Sequence, residues 1–151
     1  MDSRVKKLYE MRLLKKSGAV FEFEKILNDI AENSDLQIIP ELCEVFDDSC
    51  DFPSSMDALK KIIFHIIKKF DLNDGLLQLA NGIPKMLPHA EDNAIFIHYN
   101  ILNDDKMIEA YRKAVKKVDE ETRETIISLL EDIKDEEPDR FGNKVDKLLA
   151  D

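Results

Sequence analysis

The sequence predicts an all-α protein of about nine helices. Helix start and stop signals recur along the 151 residues, apolar residues between them follow helical spacing, and no segment alternates with the period of two that strands show. Helix pairs begin near residues 3, 35, 73 and 104, a repeat of roughly 31 to 38 residues. This repeat favours stacked helical hairpins in a short, degenerate α-solenoid of the HEAT or armadillo kind, with an irregular α-bundle as the alternative.

The first helices are delimited by short polar residues, glycine and proline. Asp2 or Ser3 opens a helix that ends at Ser17-Gly18. The second helix has one apolar stripe, made of Phe23, Ile26, Leu27 and Ile30. Ser34 and Gln37 have the spacing of a capping box, whereas Pro40 would instead start a shorter helix that ends near Asp47. The sequence leaves both alternatives open.

A longer helix follows, with Ser54 and Asp57 as a capping-box candidate. Its apolar stripe consists of Met56, Leu59, Ile63, Ile66, Ile67 and Phe70. Four lysines fall outside that stripe, namely Lys60, Lys61, Lys68 and Lys69. We therefore expect this helix to bury one face and to expose its lysines.

The second half of the chain continues in the same way. Asn73-Asp74-Gly75 opens a helix that Gly82 and Pro84 weaken, and Pro88 starts the next. Residues 89 to 102 are apolar nearly all round, which predicts a central buried helix. Asn103 and Asp119 are expected to cap two amphipathic helices, and a last apolar stripe consists of Phe141, Val145, Leu148 and Leu149.

Composition predicts a single helical domain over residues 1–151. Apolar residues make up 44% and charged residues 36% of the chain, a globular balance, and the net charge is -10. This charge disfavours binding to nucleic-acid phosphates or to anionic lipid. The N-terminal segment has no signal-peptide pattern and no segment has the length of a membrane span, so we expect a cytoplasmic protein. Two cysteines suit a reducing compartment.

The most unusual feature is a stretch without basic residues. From Ile26 to Leu59 there are nine Asp or Glu residues and no Lys or Arg, although lysines stand directly on either side. Such a block of one sign usually belongs to a tail or to a surface that meets the opposite sign. Helically spaced apolar residues within the block argue against a tail. The stretch therefore predicts a folded acidic face and a basic partner, with an ordinary solvated face as the alternative.

Within this stretch, two features indicate a contact surface. Glu41, Glu44 and Asp48 are spaced by three and four residues, so a helix would place them on one face. Residues 46–53 combine three carboxylates with two phenylalanines, which would supply electrostatic steering and an apolar anchor. The candidate partner-binding residues are Glu41, Glu44, Asp47, Asp48, Asp51 and Phe52. A second acidic cluster, ten acids between residues 119 and 139, is more repetitive and is expected to be solvated.

Catalytic, cofactor and metal sites are not predicted. The aspartates of residues 47–51 lack the ligand spacing of an EF-hand calcium loop. No CxxC or HxxxH pair is present that could complete a zinc site with Cys43 or Cys50. We expect Cys43 to be buried in a helix and Cys50 to lie in a loop. His65 is expected on the surface, His89 at a helix start and His98 in the core. No glycine-rich phosphate loop, GxSxG elbow or HExxH helix occurs, so we expect a protein that is not an enzyme.

The segment PKMLPHAEDNAIFIHYNILNDD, residues 84–105, resembles the small all-helical immunity proteins of bacterial polymorphic-toxin systems, which include contact-dependent inhibition. The segments IIPELCEVFDD at residues 38–48, the helix at 62–70 and VDEETRETIISLLEDI further on fit the same pattern in order and spacing. The resemblance spans about residues 20–140. The matching positions are Asp47, Asp48, His65, Pro84, Leu87, Pro88, Ala90, Ile101, Leu102 and Asn103.

The resemblance implies an antidote that binds one cognate toxin domain and blocks its active site or its access to substrate. Acidity favours a nuclease-like toxin, because a nuclease needs a basic substrate groove that an acidic face can occupy. A HEAT-like adaptor without an inhibitory role is the main alternative. A nucleotide-handling helical enzyme that uses carboxylates and a divalent ion is a third. The identity of the toxin and the oligomeric state are not predicted.

Overall fold

A computed structural model describes residues 1–151, and it consists of nine α-helices and two short 3₁₀ turns, with no strand. The all-α prediction is confirmed. The helices are α1 (Ser3–Glu10), α2 (Ala19–Glu32), α3 (Ile39–Cys43), α4 (Pro53–Phe70), α5 (Leu72–Gly82), α6 (Glu91–Leu102), α7 (Asp105–Lys117), α8 (Glu120–Glu136) and α9 (Pro138–Leu149). The 3₁₀ turns are Leu36–Ile38 and Ile83–Met86. No helix combines the length with the apolar character that a membrane span requires.

The first helix is shorter than the sequence suggests. It ends at Glu10, whereas Ser17-Gly18 is predicted as its end. Leu14 adopts a φ of 54°, a left-handed conformation that a helix cannot contain, so the chain turns before the glycine is reached. Gly18, with a φ of 80°, instead precedes α2 at the N-cap position.

An aspartate carboxylate is the capping group in every element whose N-cap side chain accepts a hydrogen bond. Asp2 and Asp119 are correctly predicted. Asp104 caps α7 in place of the expected Asn103, and Asp71 caps α5, which begins at Leu72 and not at Asn73-Asp74-Gly75. The predicted capping boxes that start at Ser34 and Ser54 are wrong: Asp35 caps the first 3₁₀ turn, and α4 starts at Pro53 with no side-chain cap. Pro40 lies in the first turn of α3, in agreement with the prediction of a shorter helix that starts there. That helix ends at Cys43, however, and not near Asp47.

The helices pack around a continuous core of 44 buried residues that runs from Val5 to Leu148. The odd-numbered helices α3, α5, α7 and α9 contact each other in order, and α2 packs on α4. The largest fully buried side chains include Tyr111, Phe23, Phe46 and Phe141. The burial of Phe46 means that it stabilises the core and is not available as an anchor for a partner.

The sixth helix is less buried than its composition predicts. It begins at Glu91 and not at Pro88. Ala94, Ile97 and Ile101 are fully buried, but Asn100 is exposed and the Phe96 side chain is 49% exposed. One strip of α6 therefore faces solvent.

The fourth helix departs from its predicted stripe at one position. Lys60, expected among the exposed lysines, is only 5% exposed. Its ammonium group donates to Asn93 Oδ1 at 3.1 Å, pairs with Asp57 at 3.0 Å and lies 4.9 Å from the centre of the Phe96 ring. Partners on α6 and one turn back on α4 thus compensate the burial of this cation.

Candidate partner-binding surface

The six predicted contact residues lie on α3 and on the loop that joins it to α4. Because α3 ends at Cys43, the expected helical face of Glu41, Glu44 and Asp48 does not form. The loop begins at residue 44, and each carboxylate along it has a different environment. The acidic segment, residues 41–52, therefore presents separate carboxylates and not one helical face.

The two glutamates lie at the N-terminal side of the segment. Glu41 Oε1 accepts a hydrogen bond from the Asp2 backbone N–H at 2.7 Å and lies 3.9 Å from the amino group of Met1. This carboxylate holds the start of the chain against α3. Glu44 is half-buried and forms no ion pair, so its charge remains available to a partner.

Asp47 stabilises the loop itself. The residue is 9% exposed, and its Oδ1 accepts a hydrogen bond from the Ser49 backbone N–H at 2.9 Å. Its Oδ2 lies 3.4 Å from Arg12 Nε. Arg12 comes from the segment after α1, so this ion pair ties the N-terminal segment to the acidic loop.

Asp48 caps a helix that is distant in sequence. Its Oδ2 accepts from the Asp92 backbone N–H at 2.9 Å, and its Oδ1 accepts from the backbone N–H and the side-chain amide of Asn93 at 3.2 and 2.7 Å. The residue at the N-cap position of α6 is Ala90, whose side chain cannot accept hydrogen bonds. Asp48 therefore supplies the capping oxygens and the negative charge that this helix start favours.

Asp51 and Phe52 end the acidic segment and face solvent. The Asp51 carboxylate forms an exposed ion pair with Lys15 at 3.2 Å. The Phe52 side chain is 45% exposed and lines a shallow groove of about 600 Å³ together with Phe21, which is 76% exposed. We call this pair the Phe21–Phe52 patch. Phe21 is not among the predicted contact residues, although its position outside the apolar stripe of α2 indicates an exposed ring.

The least neutralised acidic surface lies elsewhere, on α8. Arg123 donates to the backbone carbonyls of Val115, Lys116 and Val118, and Lys134 pairs with Asp146 of α9. Neither cation pairs with a carboxylate of α8. Four of the acidic side chains in this region line one shallow groove of 400 Å³, namely Glu91, Glu121, Glu124 and Asp132.

The histidines and cysteines do not form a reactive cluster. His98 is fully buried, and burial lowers its pKa to about 4. Burial raises the pKa of the Cys43 thiol to about 12. Cys50 lies in the loop as predicted, but it is buried, and its sulfur accepts from the Phe52 backbone N–H at 3.4 Å. His65 and His89 are exposed.

The comparison with protein families yields one match. A family model described as Immunity protein 30 matches residues 10–111, which is about two thirds of the chain. Neither the curated proteins nor the solved structures give a match. The matched range includes the whole acidic segment and the helices on both sides of it.

Proposed function

Because the chain belongs to the Immunity protein 30 family, it is an immunity protein, and we propose that it binds and neutralises one cognate toxin domain. The family match over residues 10–111 is the observation that carries this proposal. The chain would act by binding and not by catalysis, in the cytoplasm of the cell that it protects. A polymorphic-toxin system of the contact-dependent inhibition kind is the setting that the sequence resemblance supports.

The partner that charge complementarity favours is a basic, nuclease-like toxin domain. The chain has a net charge of -10, and both the acidic segment and α8 carry carboxylates that no cation of the chain neutralises. A nuclease groove that binds phosphates attracts such a surface, and attraction speeds association beyond the roughly 10⁵ to 10⁶ M⁻¹s⁻¹ of uncharged partners. Rapid capture suits an antidote.

The acidic segment is the proposed toxin contact, with a division of roles among its six residues. Glu44 and Asp51 would attract the toxin, and Phe52, beside Phe21, would anchor it. Glu41, Asp47 and Asp48 would add to the negative field while they hold the segment in shape through their hydrogen bonds. An exposed aromatic pair beside carboxylates is a composition that protein interfaces use.

The helices would stack as a short HEAT-like solenoid within one domain, residues 1–151. The ordered contacts of α3, α5, α7 and α9 and the continuous core support this arrangement. In a solenoid, successive loops between helices lie at the two edges of the stack, and the acidic segment, as one such loop, would be exposed to a partner at its edge.

The proposal predicts that the gene beside this one encodes a large secreted protein whose C-terminal domain is the toxin, and that domain supplies the test. We expect the two chains to copurify, and the immunity protein to restore growth of cells that produce the domain. Glu44→Lys should slow association, whereas Glu32→Lys, an equal charge change at an exposed and unpaired position at the end of α2, should have little effect. Copurification without restored growth would contradict neutralisation and favour an adaptor.

A further inference from the structure

A second surface, opposite in charge to the acidic segment, lies between α4 and the corner where α6 meets α7. It is a groove of 760 Å³. Its α4 wall carries Lys61, His65 and Lys68, which follow one another at spacings of four and three and so lie along one ridge of the helix. Asn100 and Asn103 line the groove from the end of α6.

This lysine groove carries more positive than negative charge, because three lysines and two carboxylates line it. Lys61 and Lys68 form no ion pair. The two carboxylates that line the groove already have partners: Asp57 pairs with Lys60 at 3.0 Å, and Asp104 accepts from the first backbone N–H groups of α7 at 2.9 and 3.1 Å. Two cations therefore remain free in a chain whose net charge is -10.

Half-exposed aromatic rings accompany the lysine groove. Phe96 is 49% exposed, and its ring lies beside Lys60 of the groove wall. Phe70, also 49% exposed, lines an adjoining groove of 330 Å³ that shares Lys68 with the first. Aromatic residues are enriched where proteins bind proteins, so two exposed rings beside the lysine groove support a protein partner.

We propose that the lysine groove binds an acidic segment of the toxin domain. This inference rests on the proposed function and names a second contact for the same partner. Lys61 and Lys68 are seven residues apart on one helix, about 10 Å, which an extended chain spans in about three residues. The occupant is thus a short strand-like or loop segment with two carboxylates about three residues apart and apolar residues beside them.

The lining favours a protein segment over a polyanion. The exposed amides of Asn100 and Asn103 form no hydrogen bond within the chain, and each offers both a donor and an acceptor to a peptide backbone. A nucleic acid would meet the net charge of -10 over most of its length, whereas a single acidic loop on a basic protein would not.

The lysine groove and the acidic segment are physically connected. The Asn93 side-chain amide donates to Asp48 Oδ1 at 2.7 Å, and its oxygen accepts from Lys60 Nζ at 3.1 Å. One amide therefore separates a carboxylate of the acidic segment from the first lysine of the groove wall. Neighbouring surfaces of opposite sign would fix the orientation of a partner that carries the reverse pattern.

The test compares two double variants of the full-length protein. Lys61→Glu/Lys68→Glu reverses the groove, and Lys116→Glu/Lys117→Glu reverses two exposed, unpaired lysines at the end of α7. Both variants change the net charge by the same amount. Titration calorimetry measures binding to a catalytically inactive form of the toxin domain encoded by the adjacent gene.

We expect the groove variant to raise Kd by at least about 10-fold, because like charges would then meet in the groove. The control variant should bind as well as the wild type or more tightly, since it adds negative charge against a basic partner. Phe96→Ala should raise the dissociation rate. Circular dichroism and thermal unfolding establish that each variant is folded, and Lys61→Gln/Lys68→Gln repeats the test if the reversal unfolds the chain.

Other outcomes overturn the inference in distinguishable ways. Equal effects of the two double variants, with wild-type binding intact, would refute the groove contact and leave the proposed function standing. If the wild-type protein does not bind the toxin domain, both the groove contact and the proposed function are refuted. A wild-type dimer that the groove variant dissociates in sedimentation, or a labelled RNA that only the wild type binds, would identify a second copy or a polyanion as the occupant.

Discussion

The Tyr111 hydroxyl lies 2.8 Å from Nε2 of His98, and both residues are fully buried. On its other side the imidazole Nδ1 lies 2.7 Å from the Ala94 carbonyl oxygen, which only accepts hydrogen bonds. Nδ1 must therefore carry the proton in the neutral ring, and Nε2 accepts from the tyrosine. This pair joins α6 to α7 in the centre of the core with every polar atom satisfied.

Removal of the tyrosine hydroxyl should destabilise the protein. Tyr111→Phe leaves His98 Nε2 buried without a donor, and an unsatisfied buried polar atom costs about 1 to 3 kcal/mol. Urea unfolding followed by circular dichroism measures the free energy of unfolding. The double variant His98→Leu/Tyr111→Phe removes both partners. Its loss of unfolding free energy should be smaller than the sum of the losses in His98→Leu and Tyr111→Phe, and strict additivity would show that the pair is not coupled.

The buried histidine should also make stability depend on pH. Its pKa is lowered from 6.5 to about 4 by burial, so the unfolded chain takes up a proton at a higher pH than the folded chain does. The contribution of His98 to stability should be constant above about pH 6.5 and should fall as the pH decreases to about 4, by roughly 3 kcal/mol in total.

The variant His98→Gln isolates this dependence, because glutamine does not titrate. The aspartates whose pKa is lowered, such as Asp2 beside Arg4 and Asp119 at the start of α8, lose their contribution only below about pH 4. The two effects therefore occupy separate ranges. If the stability of His98→Gln falls as steeply between pH 6.5 and 4 as that of the wild type, other groups cause the pH dependence.

A glycine pair should respond oppositely to alanine. A Cβ at Gly82 would lie 2.5 Å from Cys43 Sγ and 3.2 Å from Pro40 Cα, because α5 packs closely on α3 there. Gly82→Ala should cost about 1 to 3 kcal/mol through overpacking. At Gly142 the nearest atom would be 4.0 Å away, so Gly142→Ala should stabilise α9 by up to about 1 kcal/mol.

Thermal unfolding distinguishes the two glycine variants, and a third variant tests the cause. Cys43→Ala combined with Gly82→Ala removes the sulfur that the new methyl group would meet. It should recover part of the loss, because the contacts with Cys43 Cβ at 3.1 Å and Pro40 Cα at 3.2 Å remain. No recovery would show that these remaining contacts, and not the sulfur, cause the strain.

Loss of the Asp48 carboxylate should destabilise the start of α6. Asp48→Ala removes the acceptor of three hydrogen bonds, two of them from backbone N–H groups, and loss of a cap costs about 0.5 to 2 kcal/mol. Glu44→Ala, which removes an unpaired carboxylate, should change stability by less than about 0.5 kcal/mol. Amide exchange at Asp92 and Asn93 reports the cap directly, and unchanged protection there would contradict its role.

Truncation of Phe52 separates an anchor from a core residue. The ring is 45% exposed, so Phe52→Ala should leave the thermal midpoint nearly unchanged and should raise the dissociation rate of the toxin complex. Stopped-flow association at low and high salt is the companion measurement, because steering by exposed charge weakens as salt screens it. A lower thermal midpoint with normal binding rates would place Phe52 in the fold and not in the interface.

Much of the fold was predictable because its signals are local. Helical spacing of apolar residues, the caps Asp2 and Asp119, and Pro40 in the first turn of α3 are properties of neighbouring residues, and they predict the number and order of helices. Helix boundaries that depend on backbone conformation were harder to predict, as the left-handed turn at Leu14 demonstrates. The end of α1 depends on how the chain packs after Glu10, which local spacing does not encode.

Which charges are free for a partner was decided by tertiary structure alone. The sequence by itself determined the all-helical class and the stretch without Lys or Arg between residues 26 and 59. Only the folded chain brings Arg12 to Asp47, uses Asp48 to cap a helix more than 40 residues away, and buries Lys60 against α6. Ion pairs and caps depend on distances between atoms, and packing sets those distances for residues that are far apart in the chain.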